Sequence, residues 1–209
     1  MESNALMYVE DVYTITGRGT VVTGTILSGN IRLGQPIIHG SILDDKGNTS
    51  TIVRGIDLSR VAVDVATAGD AVGLLLATNV LKEDVNRGDV FIGKNYRNVV
   101  RSKTIKGTVY VYTKEEGGRH QPILLNYGPE MYVSGASFKA RVTDLGTING
   151  EVPEYVIPGS TCENMVFEII QRSGTDDDPV YQTPFTYIGQ EVLLRESGRT
   201  VAKVTITGY

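Results

Sequence analysis

The chain has 209 residues, of which 41% are apolar and 21% charged, an ordinary balance for a soluble globular protein. That length suits two domains of roughly 100 residues, each large enough to bury a core without staples. With 20 basic and 24 acidic side chains the net charge is −4, which argues against nonspecific polyanion binding by a broad basic face. Short runs rich in Val, Ile, Thr and Leu follow, bounded by Gly, Asn and Asp clusters. They predict strands over Val9 to Thr16, Thr20 to Leu27, Gln35 to His39, Thr51 to Ile56, Ala71 to Leu76 and Asp89 to Ile92. Gly17-Arg18-Gly19 reads as a tight hairpin and Ser28-Gly29-Asn30 as a second turn, because glycine reaches positive φ without steric cost. Leu81 to Arg87 reads as one short helical turn with Lys82, Glu83 and Asp84 exposed. Lys94 to Ser102 is polar, and the domain linker is expected there. Beyond it the pattern predicts strands over Thr104 to Thr113, Ile123 to Leu125, Met131 to Val133, Phe138 to Leu145, Asn164 to Gln171, Phe185 to Leu194 and Thr200 to Thr207. Gly174 to Pro179 reads as an acidic loop. The expected fold is all-β, with domains over 6–97 and 102–209, each a closed barrel.

Several chemistries find no support. Cys162 is the sole cysteine, which excludes an internal disulfide and agrees with a reducing, cytoplasmic setting. With His39 and His120 as the only histidines, no zinc-ligand spacing can be assembled, so no metal site is expected. No apolar run approaches the roughly 18 residues of a membrane span, and no membrane partner is expected. Gly88 to Lys94 fits most of G-x-x-x-x-G-K-[ST], but Asn95 replaces the magnesium-binding hydroxyl, and Val90 to Ile92 reads as a strand inside the supposed loop. Asn48-Thr49-Ser50 fits a glycosylation sequon and reads as a polar turn. The Asp44-Asp45 pair sits in a polar loop, where solvated charge is the ordinary outcome. His120 has no nucleophile or metal ligand beside it in the sequence, and no catalytic residue is assigned.

Specific stretches carry more. Val9-Glu10-Asp11-Val12 is followed by G-R-G-T-V-V-T-G over Gly17 to Gly24. Gly55 to Leu58, Ala68 to Asp70, Val72 to Leu75 and Asn86 to Asp89 continue the series. Lys114 to His120 and Arg195 to Val201 complete it. In this order the residues resemble the second and third domains of bacterial elongation factor Tu, over roughly residues 6 to 209.

The resemblance implies a binding module rather than an enzyme. In that family the second domain holds the aminoacylated 3′ end of tRNA and the third lies along the T stem. Glu10 matches the acidic residue near the terminal ribose, Arg60 a basic residue of the terminal adenosine pocket, and Arg119 a residue reaching the tRNA 5′ phosphate. A carboxylate accepts a ribose hydroxyl, while a guanidinium stacks on a base or forks onto a phosphate. The implied partners are aminoacyl-tRNA, the GTPase domain of a parent protein and a nucleotide-exchange factor. The family's GTP and magnesium belong to an N-terminal domain expected to be missing here. The chain departs from the family pattern at Ala71, where an asparagine is expected, at Gly128, where arginine is expected, and at Ser197, where glycine is expected. These departures suit an alternative, a Tu-like paralog serving as a protein-interaction scaffold. Another GTPase built on the same barrels, such as a sulfate-activation subunit or a selenocysteine-specific factor, is disfavoured by the third-domain stretches.

Overall fold

A computed structural model describes residues 4–40, 49–173 and 183–209. Asn48, the Asp44-Asp45 pair and the acidic loop of 174–179 lie outside the described residues. The chain divides into two compact units, Met1–Val100 and Arg101–Tyr209.

The strands of the first unit are β1 (Leu6–Tyr8), β2 (Asp11–Ile15), β3 (Gly19–Ser28), β4 (Asn30–Arg32), β5 (Pro36–His39), β6 (Thr49–Leu58), β7 (Val61–Ala62), β8 (Val65–Thr67), β9 (Ala71–Leu76) and β10 (Val90–Gly93). Six of them close a ring in the order β1-β10-β5-β6-β9-β3, sealed where β3 pairs back onto β1. β2 hangs on the outer edge of β3, β7 on β6, and β4 pairs with β8. The expected turn over 81–87 is a single 3₁₀ turn at Lys82–Asp84.

Side-chain alternation builds this ring. Along β9, Val72, Leu74 and Leu76 face inward, and they meet Val22 and Ile26 of β3, Val53 and Ile56 of β6 and Phe91 of β10. Closure depends on Gly24, because a Cβ there would overlap the backbone carbonyl of Tyr8. Any side chain would hold β1 away from β3 at the seam.

The core of this barrel also holds a polar pair that the sequence does not announce. His39 Nε2 lies 3.0 Å from Asp89 Oδ2, with both residues buried. The imidazole stacks on Phe91 with 5.1 Å between ring centres, and the same carboxylate oxygen accepts the Asn86 N–H at 2.8 Å. Asp89 therefore ties β5 to the turn that launches β10.

Val100–Arg101 (β11) opens the second unit, followed by β12 (Thr104–Val111), β13 (Glu130–Val133), β14 (Ala136–Asp144), β15 (Thr161–Arg172), β16 (Phe185–Thr186), β17 (Glu191–Glu196) and β18 (Arg199–Gly208). A closed six-stranded barrel runs β12-β15-β14-β13-β17-β18, and β18 returns to β12. β12 shows the period of two in full: Ile105, Val109 and Val111 point into the core, while Lys106, Thr108 and Tyr110 are partly exposed. Phe167, Met131, Phe138, Leu194 and Val204 fill the interior. Cys162 is buried, its thiol donating to the Leu145 carbonyl at 2.6 Å, and burial raises its pKa, which makes it a packing residue. The protein is thus all-β, with two closed six-stranded barrels.

In the second unit, two expected strands differ from the structure. Ile123 to Leu125 contributes only one bridge, Ile123 to Val156, because the chain turns at Asn126 with φ 67°. The run from Phe185 to Leu194 is two strands, broken by a turn in which Gly189 has φ 88° and the Gln190 N–H donates to the Tyr187 carbonyl.

The β17–β18 hairpin carries a local conflict. Ser197 and Gly198 form its two-residue turn, with φ values of 49° and 81° between the paired Glu196 and Arg199. Such turns need positive φ at both positions, which serine adopts at a cost. Ser197→Gly is expected to stabilise the chain by about 0.5–1 kcal/mol, read as a higher urea midpoint at unchanged slope. A midpoint that falls would contradict this assignment of strain.

Candidate functional site

An open groove of about 440 Å³ lies on the outside of the first barrel. Its floor is the paired β3 and β9, at Thr23, Gly24, Ala71, Val72 and Gly73. Glu10 and Tyr13 flank it on one side, and Asp57, Ser59 and Arg60 on the other. Glu10 and Arg60, distant in sequence, therefore line one groove. The sheet order explains how: β2 packs on β3, β3 on β9 and β9 on β6, so the two outer elements bracket the middle pair.

Each wall has a local cause. Glu10 sits in the step between β1 and β2, where its N–H donates to the Thr23 carbonyl at 2.8 Å. Its Oε1 accepts the Thr25 hydroxyl at 3.0 Å, which fixes the carboxylate against β3. Arg60 is the second residue of the two-residue turn joining β6 to β7, and Leu58 pairs with Val61 across it. Ser59 and Arg60 have φ of 51° and 69° without a glycine between them. The strain of this conformation, on the order of 1–3 kcal/mol per residue, is borne at the rim of the groove.

Tyr13 and Asp57 complete the site and were not singled out by sequence reasoning. A Cβ on Gly73 would meet the Tyr13 hydroxyl at 3.8 Å and Asp57 at 3.9 Å, so both side chains flank the floor at that glycine. Tyr13 is 42% exposed, an aromatic ring turned outward on an edge strand. Asp57 lies within the Gly55 to Leu58 stretch; the signal available was its outward place in β6, where Ile56 faces the core. Two carboxylates, one guanidinium, a phenol and the hydroxyls of Thr23 and Ser59 make this a hydrogen-bonding and stacking surface. Ala71 opens on the floor, and it adds no polar group.

Arg119 stands elsewhere, in the second unit. It is nine-tenths buried, and its guanidinium is committed inward. Nε donates to the Gln121 carbonyl at 2.7 Å and Nη2 to the Pro122 carbonyl at 3.3 Å. The plane lies over the Tyr127 ring, 4.3 Å from its centre, and Nη1 is 3.5 Å from the Glu196 carboxylate. Tyr127 donates its hydroxyl to the same carboxylate at 3.1 Å. Burial is the main cause that raises the Tyr127 pKa; Arg119 opposes it and Glu196 adds to it. Arg119 thus braces the 119–122 segment to the end of β17. It also lines a hollow of about 280 Å³ whose exposed rim includes Arg199 and His120.

The segment from Gly88 to Lys94 does not fit a phosphate, because Val90–Gly93 is a buried strand of the first barrel. Among the described residues no group of three or more His, Cys, Asp or Glu side chains is placed to hold a metal. No helix among them is long and apolar enough to cross a membrane.

Comparison with known families settles the ancestry of both barrels. Residues 98–208 match the family model described as elongation factor Tu C-terminal domain, and residues 19–92 match elongation factor Tu domain 2. The chain belongs to the elongation factor Tu family. Arg60 lies within the residues matched to domain 2, Glu10 precedes them in the same unit, and Arg119 lies within the residues matched to the C-terminal domain. Both matched domains are the non-catalytic domains of the family.

Proposed function

We propose that the first barrel holds the aminoacylated 3′ end of a tRNA, and that the chain acts as a binding module of a Tu-like translation factor in the cytoplasm. The observation that carries this reading is the placement of Glu10 and Arg60 on opposite walls of one groove, with Tyr13 between solvent and the floor. A terminal adenosine offers a ribose hydroxyl for the Glu10 carboxylate and a flat base for Arg60 or Tyr13. GTP chemistry is assigned to the family's nucleotide-binding domain, which would be a partner of these barrels.

A second reading, a paralog serving as a protein-interaction scaffold, is favoured by Ala71 and Gly128. At these positions an amide and a guanidinium expected from the family are replaced by a methyl group and a hydrogen atom. An aminoacyl-adenosine analogue with a stable amide linkage separates the two readings. Titration of the whole chain should give saturable binding that Arg60→Ala weakens by about 1–3 kcal/mol, the worth of one stacking contact. Ala71→Asn should strengthen it by about 0.5–1.5 kcal/mol through an added hydrogen bond. A flat titration with the parent chain and both variants would sink the tRNA reading and leave the scaffold.

A further inference from the structure

The second unit contains a short hairpin outside its closed ring of strands. Ile148 and Glu151 form its bridge: the Ile148 N–H donates to the Glu151 carbonyl at 2.9 Å, and the Glu151 N–H donates to the Ile148 carbonyl at 3.1 Å. Between them Asn149 and Gly150 make a two-residue turn with φ of 52° and 85°. Asparagine followed by glycine suits this turn, because both residues reach positive φ at low cost. It is the single Asn-Gly pair in the sequence. Both residues are exposed, and a side chain at Gly150 would meet nothing within 4 Å. Among the described residues none accepts the Gly150 N–H, and none holds the Asn149 side-chain amide.

Two other asparagines with left-handed backbone are guarded. After Asn126, with φ 67°, the next nitrogen is engaged, since the Tyr127 N–H donates to the Leu124 carbonyl at 3.1 Å. After Asn164, with φ 61°, comes Met165, which is fully buried within β15. A main-chain nitrogen attacks the side-chain carbonyl of the preceding asparagine most readily when it is unbonded, uncrowded and open to water. Of these three sites, Asn149–Gly150 meets every condition.

We propose that Asn149 is a site of spontaneous covalent modification, converting through a cyclic imide to aspartate and isoaspartate. The Gly150 nitrogen gives its proton to solvent and bonds to Cγ of Asn149. The Cγ–Nδ2 bond breaks, and Nδ2 takes up a proton and leaves as ammonia. Water then opens the ring. Cleavage at Cγ restores the main chain with aspartate, whereas cleavage at the α-carbonyl sends the main chain through Cγ as isoaspartate. The net reaction consumes a water molecule and releases ammonia, with no change of oxidation state. Either product adds a negative charge beside the exposed Glu151. The isoaspartyl form also lengthens the turn by a methylene, which breaks the register of the Ile148–Glu151 bridge.

The test keeps the full chain in warm, mildly alkaline buffer, followed by peptide mass mapping with fragmentation that separates aspartate from isoaspartate. A gain of about 1 Da should accumulate at residue 149 at least about tenfold faster than at Asn126 or Asn164, with isoaspartate among the products. The rate should rise with pH, because the attacking nitrogen must lose its proton. Gly150→Ala should slow the gain about tenfold by crowding that nitrogen, and Asn149→Gln should remove it at this position. The chain unfolded in urea is the reference, and the folded rate should lie within about tenfold of it, since the fold leaves this turn open. An Asn149 that stays intact in the folded chain while the unfolded chain converts would overturn the proposal. So would faster conversion at Asn126 or Asn164, a product free of isoaspartate, or a rate unmoved by Gly150→Ala.

Discussion

Phe167→Ala is expected to lower the stability of the protein by about 3–5 kcal/mol, the cost of removing a fully buried aromatic ring and leaving a cavity. Phe167 pairs with Ile105 on one side and Val142 on the other, and all three are fully buried. No nearby backbone can collapse into the space, because the strands are held in a closed ring. The urea midpoint should fall with little change of slope. Ile170→Ala is the control. It lies on the same strand and is 43% exposed, so its effect should stay near 0.5 kcal/mol. Since the whole stability of such a domain is only about 5–15 kcal/mol, Phe167→Ala could unfold it outright. Phe167→Leu, at a cost of about 1.5 kcal/mol, keeps the comparison measurable. Equal losses for Phe167→Ala and Ile170→Ala would contradict this account of the core.

Asp89→Ala should cost the first barrel about 3 kcal/mol, because it strands one buried and one half-buried donor rather than merely deleting a bond. His39 Nε2 and the Asn86 N–H both use the lost carboxylate oxygen, at 3.0 and 2.8 Å. His39→Val removes one of these groups, so the double variant should recover about 1–2 kcal/mol relative to the sum of the singles. Urea unfolding of the four proteins measures this coupling. Strict additivity would mean that the pair is not an energetic unit.

These two residues also show what a sequence of this kind discloses. Strands whose two faces differ were legible. Thr104–Val111 and Ala71–Leu76 alternate cleanly, and their places in the sheets follow. Leu6–Tyr8 was not legible, because all three residues are buried and no alternation marks them. Val9 reads as the start of a strand, yet its N–H donates to the Asp89 carbonyl and the chain steps sideways before β2. That step is what places Glu10 at the groove. Single bridges and turns set by one positive φ, as at Asn126, leave too little pattern for a period of two to reveal.

The site was legible to a similar degree. Family resemblance supplied Glu10 and Arg60, and the order of strands explains how they meet. Tyr13 and Asp57 needed coordinates, since neither an exposed tyrosine nor an acidic residue near a turn is distinctive by itself. Arg119 illustrates the converse. Its residue type suits a phosphate, but its surroundings show a guanidinium occupied by two carbonyls, an aromatic face and a carboxylate. His39 and Asp89 are unremarkable in sequence, and only the pairing of β10 with β5 brings them into contact.

The most direct measurement of the central claim is competition between an aminoacylated tRNA acceptor minihelix and the same minihelix without its amino acid, for the full chain at fixed salt. The aminoacylated form should bind at least about tenfold more tightly, a difference of about 1.4 kcal/mol, and Arg60→Ala should remove most of its affinity. Equal affinity for the two forms, unchanged by Arg60→Ala, would contradict it.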